Sequence, residues 1–421
     1  MNETLDILIA GGGIGGLTTA LTLARAGHRV TVLEAAADLK PLGVGINLLP
    51  HAVAVLTELG LGDDLARIAV PTAALVFANR HGQSIYSDAR GLVGGYSHPQ
   101  YSIHRGELQQ LLWTTAQQRL GAAQLLSGQR VVGATQTGER VAVQIQPADA
   151  PRGQVLRREC DLLIAADGIH SALRRQFYPD EGPPRWNGMM MWRGTSWAKP
   201  FLDGRTMVQA GHRRAKFVVY PIAPPRADGL QLINWICDRR LREDGIGGGL
   251  QAPSREDWSK SGSLDDLLPT FGSWHFDWLD VPGLIAGATQ LLEWPMVDRD
   301  PLPRWSFGRI TLLGDAAHPM YPIGSNGATQ AIIDAKCIAD CLQVDPVEAA
   351  LAAYEAQRRP MTARIVEMNR QEGLDAILDM VEERAPDGFE RLEDVIDPAE
   401  VAAFVQRYKA AAGHQTLRAQ P

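Results

Sequence analysis

A glycine-rich loop near the start of the chain limits the fold more than any other feature of the sequence. The apolar run at residues 5–10 is followed by six residues that include five glycines, then by a helical pattern at residues 17–25 and a second apolar run at residues 29–33. Short apolar runs on both sides of a helical segment predict two buried parallel strands joined by a crossover helix. The sequence therefore predicts a β–α–β opening and an α/β fold.

Three glycines of this loop have the spacing of a dinucleotide-binding turn. Gly11 permits a tight turn after the strand, Gly13 lets the backbone approach a pyrophosphate, and Gly16 allows close packing of helix on strand. The N–H groups and the positive dipole end of the helix favour phosphates. Glu34 ends the second strand, where its carboxylate is placed to accept hydrogen bonds from ribose hydroxyls. The pattern predicts an adenine dinucleotide and does not distinguish FAD from NAD.

Two later strands also end in an acidic residue beside a glycine. Residues 161–166 lead into Asp167-Gly168, and residues 310–313 lead into Gly314-Asp315. Such turns at the carboxyl end of a strand bring backbone and carboxylate to a ligand. The second aspartate is placed to bind a polyol hydroxyl. The loop after it leads into a helix that begins near Gly327 and directs positive potential at whatever lies in front of it.

Other polar residues near these motifs are predicted to be structural. Ser171 is expected to cap the helix that follows it, and His170 to be structural. His318 is expected to shape its loop rather than to act as a general base. Cys337 and Cys341 are predicted to be small buried residues of a helix. No metal site is predicted.

Composition and charge narrow the functional classes. Of the 421 residues, 45% are hydrophobic and 21% are charged, as in a globular protein with a large core. The formal net charge of −7 gives no electrostatic reason to expect a nucleic acid or an anionic membrane as a partner. The four cysteines have no disulfide-framework spacing and no secretory signal precedes the first strand, so a cytoplasmic location is expected. Two long uncharged stretches, at 7–24 and 316–333, are rich in Gly, Thr, Ser or Pro and are predicted to be ligand-facing turns.

The middle of the chain has a different texture. Between about residues 185 and 294, aromatic and β-branched residues are interrupted by many prolines and glycines. Segments 217–220 and 232–236 have the composition of sheet strands. We expect a separate, mainly β-sheet domain here. From Ala328 onwards the pattern is almost wholly helical.

The motifs follow one another in the order found in a known enzyme family. The glycine loop with Glu34, the segment 102–108, the Asp167-Gly168 turn and the Gly314-Asp315 turn resemble those of the group A FAD-dependent aromatic hydroxylases. Segments 41–47, 191–194 and 295–303 are similar to members of that family that act on phenazines. The resemblance covers nearly the whole chain and weakens near the C-terminus.

This resemblance implies a division of the chain into three parts. A Rossmann-like FAD-binding domain of the glutathione-reductase type would comprise residues 1–76, 101–178 and 292–346. A mainly β-sheet substrate domain would comprise residues 77–100 and 179–291, and a C-terminal helical region residues 347–421. The sequence leaves open whether that last region packs against the FAD domain or covers the pocket.

The resemblance also implies which residues contact the cofactors. The pyrophosphate would be held by Gly11, Gly13, Ile14, Gly15 and Gly16, the adenosine ribose by Glu34, and the adenine side by the backbone of Val131. Arg105 would reach the pyrophosphate and ribityl region, Asp315 the ribityl chain, and Pro322, Gly324, Asn326 and Gly327 the isoalloxazine edge, with Gly45 also assigned to the cofactor. Asp167 and Gly168 would serve both FAD and the nicotinamide cofactor, since these enzymes have no separate nicotinamide-binding domain.

The activity implied is that of a monooxygenase. NADH or NADPH would reduce FAD, and a flavin C4a-hydroperoxide formed with O2 would pass one oxygen atom to a small aromatic or heteroaromatic, phenazine-like substrate. Because the flavin carries this chemistry, no side-chain nucleophile is required. Trp192, Arg193, Tyr220 and Trp235 are the substrate-pocket candidates, since flat aromatic walls suit a planar ring and Arg193 suits a carboxylate or phenolate.

Other activities stay open on the sequence alone. The same scaffold serves an epoxidase, a Baeyer–Villiger-type oxygenase or a plain NAD(P)H oxidase, and a flavin-binding sensor without turnover is a further alternative. A nicotinamide dehydrogenase that uses only the first β–α–β unit is disfavoured by Asp315 and the helix after it. The sequence indicates neither the oligomeric state nor a choice between NADH and NADPH.

Overall fold

A computed structural model describes residues 3–39, 43–151, 153–245, 250–252, 260–371 and 375–411 of the chain, with the backbone alone for 406–411. Residues 41 and 42 of the segment 41–47, and residues 412–421 of the predicted C-terminal region, lie outside the described residues.

The helices and strands of the described residues are numbered in chain order. The helices are α1 (Ile14–Arg25), α2 (Pro50–Glu58), α3 (Gly62–Ile68), α4 (Arg105–Leu120), α5 (Ala172–Phe177), α6 (Leu268–Phe271), α7 (Val281–Ala286), α8 (Gly327–Val344), α9 (Val347–Arg370), α10 (Ala376–Arg384) and α11 (Pro398–Ala411). The strands are β1 (Asp6–Ala10), β2 (Arg29–Leu33), β3 (Gly45–Leu48), β4 (Val70–Pro71), β5 (Ala74–Ala78), β6 (Ser84–Ala89), β7 (Tyr101–His104), β8 (Leu125–Leu126), β9 (Gln129–Thr137), β10 (Arg140–Pro147), β11 (Leu156–Cys160), β12 (Leu162–Ala165), β13 (Arg185–Ala198), β14 (Thr206–His212), β15 (Ala215–Pro221), β16 (Gln231–Arg240), β17 (His275–Phe276), β18 (Leu279–Asp280), β19 (Ala288–Asp298), β20 (Ser306–Phe307) and β21 (Ile310–Leu312).

A six-stranded sheet contains the predicted β–α–β opening. Its order is β20-β21-β12-β1-β2-β8, and β1 lies between β12 and β2 with parallel pairing on both sides. Residues Ile7, Leu8 and Ile9 are fully buried, as the central strand of a sheet covered on both faces requires. The strand at 29–33 has the predicted bounds. Helix α1 begins at Ile14 instead of residue 17, because Gly13 takes the N-cap position.

A seven-stranded sheet forms the second layer. Its order is β19-β13-β16-β15-β14-β5-β6, antiparallel except between β14 and β5. Strands β5 and β19 both belong to this sheet, so they cross the predicted domain boundaries at 76/77 and 291/292. Residues 74–76 of β5 and 292–298 of β19 therefore pair within the second sheet, and the division of the chain into domains stays a prediction. Strands β15 and β16 are longer than predicted, because the charged residues Lys216 and Asp238 pair in register and continue both strands.

The C-terminal helices divide between the two layers. Leu351 and Tyr354 of α9 pack in the hydrophobic core of the first sheet. Ile377 of α10 and Val401 of α11 pack in the core of the second sheet. The predicted single C-terminal region thus supports both parts of the molecule. Among the described helices, none has the length and apolarity that crossing a lipid bilayer would need.

Candidate active site

The glycine loop has the close contacts that explain its composition. Gly11 has a φ of +104°, and a Cβ placed there would lie 2.3 Å from the carbonyl oxygen of Ala166. A Cβ on Gly16 would lie 2.0 Å from the carbonyl oxygen of Gly11. A Cβ on Gly13 would meet nothing within 4 Å. Gly11 and Gly16 are therefore required by the protein itself, whereas Gly13 leaves space in front of the first turn of α1.

Glu34 is attached to this loop. Its Oε2 accepts a hydrogen bond from the amide of Gly12 at 2.6 Å, and its Oε1 accepts one from the amide of Ala36 at 2.7 Å. Each carboxylate oxygen retains a second lone pair, because a carboxylate has about four acceptor sites. This geometry fits a carboxylate that accepts ribose hydroxyls, and that role stays a prediction.

Asp315 and Arg105 face each other across the cleft. Asp315 lies deep in the protein, but it is accessible to solvent because it faces the cavity described below. Burial raises the pKa of its carboxyl against the opposing effect of His318 and Arg105. Burial likewise lowers the pKa of the Arg105 guanidinium, opposed by Asp315 and Glu34. The cleft thus combines a carboxylate suited to a polyol with a cation suited to a phosphate.

The Asp167-Gly168 turn follows β12 as expected. Asp167 Oδ2 accepts a hydrogen bond from the amide of Ala172 at 2.9 Å. Gly168 has a φ of +77°, and a Cβ there would meet nothing within 4 Å. Ser171 caps α5 by accepting the amide of Arg174 at 3.1 Å, so the predicted capping role is confirmed.

A buried network of charged side chains supports the loop at 314–327. His318 Nε2 lies 2.6 Å from Asp334 Oδ2, and Arg358 Nε donates to Asp334 Oδ1 at 2.7 Å. Asp334 Oδ2 also accepts the amide of Gly314 at 3.1 Å. Burial opposes ionisation of Asp334, but His318 and Arg358 outweigh it and lower its pKa to about 2. His318 therefore shapes the loop, as the sequence predicted.

The two sheets enclose a cavity of about 320 Å³ between them. The predicted cofactor residues on its wall are Gly13, Ile14, Gly15, Gly45, Arg105, Gly168, Asp315, Pro322, Gly324, Asn326 and Gly327. The cavity wall does not include Gly11, Gly16, Glu34, Val131 or Asp167. Gly13, Gly168 and Gly327 lie on that wall, and a Cβ on any of the three would meet no atom within 4 Å. Open space therefore extends from the glycine loop to the start of α8.

The second sheet contributes the opposite wall of the cavity. Arg193 and Tyr220 line it, as predicted. Arg193 Nη2 and the Tyr220 hydroxyl each donate to the carbonyl oxygen of Gly45 at 2.9 Å, and Asn234 Oδ1 accepts the amide of Gly45 at 2.6 Å. Burial raises the pKa of Tyr220 to about 12, with Arg193 opposing the rise. Three side chains of the second sheet therefore hold the backbone of Gly45 at the start of β3.

Trp192 and Trp235 do not lie in the pocket that the sequence predicted for them. Side chains alternate along a strand, and the neighbours Met191, Arg193 and Ile236 take the cavity face. Trp235 is fully buried and its Nε1 donates to the hydroxyl of Ser196 at 2.9 Å. These two indoles are core residues of the second sheet and not cavity-wall residues.

Three charged residues of the cavity wall, Arg90, Lys216 and Asp238, were not predicted from the sequence. Lys216 and Asp238 line the cavity on β15 and β16. Residues two apart on a strand share a face, so Asn234, Ile236 and Asp238 are on the same face of β16. This alternation is the sequence signal that could have predicted Asp238 on the wall. The predicted strand ended at residue 236, before the alternation reached this residue.

Several known proteins have a similar sequence. The sequence profile of the FAD binding domain family matches residues 4–244 and 286–369. The chain is 48% identical over 373 residues to phenazine 1,6-dicarboxylic acid hydroxylase PhzS of Lysobacter antibioticus, covering 87% of this chain and 89% of that protein. It is 31% identical over 374 residues to 3-hydroxybenzoate 6-hydroxylase 1 of Aquipseudomonas alcaligenes, covering 87% of this chain and 88% of that protein.

Solved structures share the fold. A salicylate hydroxylase substrate complex superposes with a TM-score of 0.72 at 22% identity and covers 99% of both chains. Klebsiella pneumoniae HpxO complexed with FAD and uric acid has a TM-score of 0.72 at 23% identity, covering 98% of this chain and 95% of its own.

A nucleotide cleft in an α/β layer that opens onto a second sheet through a shared cavity, together with these relatives, defines an FAD-dependent monooxygenase of the aromatic hydroxylase class. Its substrates are O2 and a small aromatic compound. The chain belongs to the FAD binding domain family.

Proposed function

We propose that this monooxygenase uses NADH or NADPH to reduce its FAD and hydroxylates a phenazine-like, carboxylated heteroaromatic substrate. The observation that carries the proposal is the shared cavity, which has nucleotide-binding loops on one side and the second sheet on the other. The relative named as a phenazine 1,6-dicarboxylic acid hydroxylase, at 48% identity, supports the substrate class.

The residues of the cleft have distinct roles in this proposal. FAD, when bound, supplies the redox chemistry that activates O2. The first turn of α1 at Gly13 and Ile14 holds the pyrophosphate, and Glu34 binds the adenosine ribose. Asp315 binds the ribityl chain, and Arg105 lies between that chain and the pyrophosphate.

Further residues of the cleft complete these cofactor contacts. The start of α8 at Gly327 directs its positive end at the isoalloxazine edge, together with Pro322, Gly324 and Asn326. Gly11 and Gly16 shape the first turn without touching the cofactor, and Val131 contacts the adenine side through its backbone. Gly45 contacts the isoalloxazine, and Asp167 with Gly168 serves both FAD and the nicotinamide cofactor.

The second sheet positions the aromatic substrate. Met191, Val218 and Ile236 provide an apolar surface for a planar ring. Arg193 pairs with the substrate carboxylate, because its buried guanidinium offers charge-assisted hydrogen bonds. Enclosure between the two sheets excludes water from the reacting ring.

The test follows cofactor use and product together. The purified, FAD-loaded protein is mixed with NADH or NADPH and with phenazine-1-carboxylate, phenazine-1,6-dicarboxylate, 3-hydroxybenzoate or salicylate. We expect a phenazine to accelerate NAD(P)H oxidation and O2 uptake and to gain one oxygen atom by mass. Oxidation of NAD(P)H that yields only hydrogen peroxide with every compound would contradict the proposed substrate class.

Two neighbouring residues of β15 provide a matched control for the site. Val218 lines the cavity, whereas Val219 is fully buried on the other face of the strand. Val218→Trp is expected to fill the cavity and abolish substrate-stimulated oxidation while FAD stays bound. Val219→Ala is expected to keep the stimulation, because it leaves the cavity wall unchanged.

A further inference from the structure

Three charged side chains form a cluster at one end of the second sheet. Lys216 on β15 lies opposite Asp238 on β16, and the two residues are 8% and 3% exposed. Lys216 Nζ is 3.6 Å from Asp238 Oδ2 and donates a hydrogen bond to Asp375 Oδ2, just before α10. The cofactor and substrate roles proposed above do not use this cluster.

The cluster separates two cavities. Lys216 and Asp238 line the large cavity of about 320 Å³. They also line a smaller one of about 40 Å³, which Asp375 lines from the opposite side. Asp375 is not on the wall of the large cavity. A substrate in the large cavity therefore meets Asp238 and Lys216 but not Asp375.

Asp238 is the carboxylate of the cluster that still has an oxygen available to accept a hydrogen bond from a ligand. One ammonium group faces two carboxylates, and the nearby cation Arg370 is bound by Asp298 and Asp300. Within the described part of the chain, Asp238 Oδ1 has no hydrogen-bond partner although it is buried. A buried acceptor without a donor is costly, so this oxygen is suited to a donor that arrives with a ligand.

The distance between Asp238 and the other end of the cavity wall determines the length of a ligand that contacts both. Tyr220 and Lys216 are four residues apart on β15, which is about 13 Å along a strand. Between these levels lie the apolar residues Val218 and Ile236, with Gln209 paired to Val218 on the same wall. The wall thus has the Arg193 guanidinium beside the Tyr220 hydroxyl at one end, a mostly apolar middle, and Asp238 with Lys216 at the other end. That order suits a planar, fused aromatic body with a different polar group at each end.

We propose that Asp238, held in place by Lys216, is a specificity-determining acceptor for a hydrogen-bond donor, such as a hydroxyl or amino group, on the ring remote from the substrate carboxylate. The inference rests on the proposed function, because it assumes a carboxylated aromatic substrate that pairs with Arg193. A second carboxylate at this end is disfavoured, since the single ammonium of Lys216 already faces two carboxylates.

Ligand binding to the oxidised, FAD-loaded protein tests the inference without turnover. Phenazine-1-carboxylate, 6-hydroxyphenazine-1-carboxylate and phenazine-1,6-dicarboxylate are titrated in turn, and the change in flavin absorbance is recorded. We expect the hydroxy acid to bind at least about tenfold more tightly than phenazine-1-carboxylate, as a hydrogen bond to a charged group allows. The dicarboxylate is expected to bind more weakly than the hydroxy acid.

Variants assign the preference to one carboxylate. Asp238→Leu is expected to abolish the preference for the hydroxy acid, and Asp238→Asn to reduce it to about threefold or less, because a neutral acceptor makes a weaker bond. Asp375→Asn is the matched control and is expected to keep the preference, since it changes the charge of the cluster away from the large cavity. If Asp238→Leu does not fold, Asp238→Asn decides the question.

The outcomes separate this inference from the proposed function. If both monocarboxylates bind equally, or if the preference survives in the Asp238 variants, Asp238 is not the acceptor although the substrate class stands. Tightest binding of the dicarboxylate would mean that Lys216 recognises an anion, which also overturns the inference. If no phenazine perturbs the flavin, the proposed substrate class is wrong and the inference fails with it.

Discussion

Arg193 Nη2 donates a hydrogen bond to the carbonyl oxygen of Gly45 at 2.9 Å and thereby joins the second sheet to the start of β3 at the cavity. Tyr220 donates to the same oxygen, and Asn234 accepts the amide of the same residue. The backbone at the start of β3 is therefore positioned by the sheet that also forms the substrate wall. A change in that sheet is transmitted directly to a peptide that lines the cleft.

Gly45→Ala is expected to disturb this junction. A Cβ at that position would lie 2.6 Å from Ile222 Cγ2 and 2.7 Å from Asn234 Cβ. We expect a loss of about 1–3 kcal/mol in the free energy of unfolding, as for other overpacked sites, together with weaker FAD binding. Urea denaturation and FAD titration measure the two effects. Tyr220→Phe is the mild comparison and is expected to cost about 1 kcal/mol, because Arg193 still donates to Gly45. Equal stability of Gly45→Ala and the wild type would contradict the contact.

Two glycines of the first loop are expected to respond differently to a methyl group. Gly16→Ala places a Cβ 2.0 Å from the carbonyl oxygen of Gly11, whereas Gly13→Ala meets nothing within 4 Å. We expect Gly16→Ala to destabilise the protein even without FAD. Gly13→Ala is expected to leave the apoprotein's melting temperature unchanged and to weaken FAD binding, because the methyl group enters the space in front of α1. Calorimetry of the apoproteins and fluorescence titration with FAD distinguish the two. Undiminished FAD affinity in Gly13→Ala would show that the pyrophosphate does not approach this residue.

Asp334→Asn is expected to destabilise the protein by about 3 kcal/mol at neutral pH, because it leaves Arg358 and His318 without their buried carboxylate. The pKa of Asp334 is about 2 in the folded protein and 3.8 as an ordinary value. Its stabilising effect is therefore complete above about pH 4 and is lost as the pH falls towards 2. The gap in unfolding free energy between wild type and variant should narrow as the pH falls below about pH 4.

Asp340→Asn on the same helix is the control for that measurement. Asp340 forms an exposed pair with Lys336, so its loss is expected to cost less than about 1 kcal/mol. Urea unfolding at a series of pH values gives all three stability curves. A gap for Asp334→Asn that stays constant down to about pH 3 would mean that folding does not lower the pKa of this carboxylate.

Substitutions on the two faces of β13 and β16 are expected to have different effects. A change on the core face should lower stability, and a change on the cavity face should lower substrate affinity. Trp235→Phe removes the hydrogen bond to Ser196 and is expected to cost about 1–2 kcal/mol of stability, with substrate affinity unchanged. Met191→Ala is expected to weaken binding of a phenazine carboxylate, because this side chain lies on the cavity wall. Substrate titration of the flavin absorbance and urea denaturation measure both quantities. Weaker substrate binding in Trp235→Phe at unchanged stability would mean that the Trp235 indole lines the substrate pocket.

Local patterns in the sequence were sufficient for the nucleotide-binding half of the molecule. The strand, glycine loop, helix and terminal Glu34 lie within one continuous segment, so spacing alone predicts their arrangement. The same holds for Asp315, which follows a buried strand and precedes the helix that starts at Gly327.

The tertiary structure decided the substrate wall. Both faces of β13 and β16 are buried, so apolar residues occur at odd and even positions and the sequence does not show which face meets the cavity. That choice placed Trp192 and Trp235 in the core and Asp238 on the wall. The meeting of Gly45 with Arg193, and of Lys216 with Asp375, joins residues more than a hundred positions apart. Such contacts depend on how elements that are distant in the chain pack against the second sheet, which no local pattern in the chain encodes.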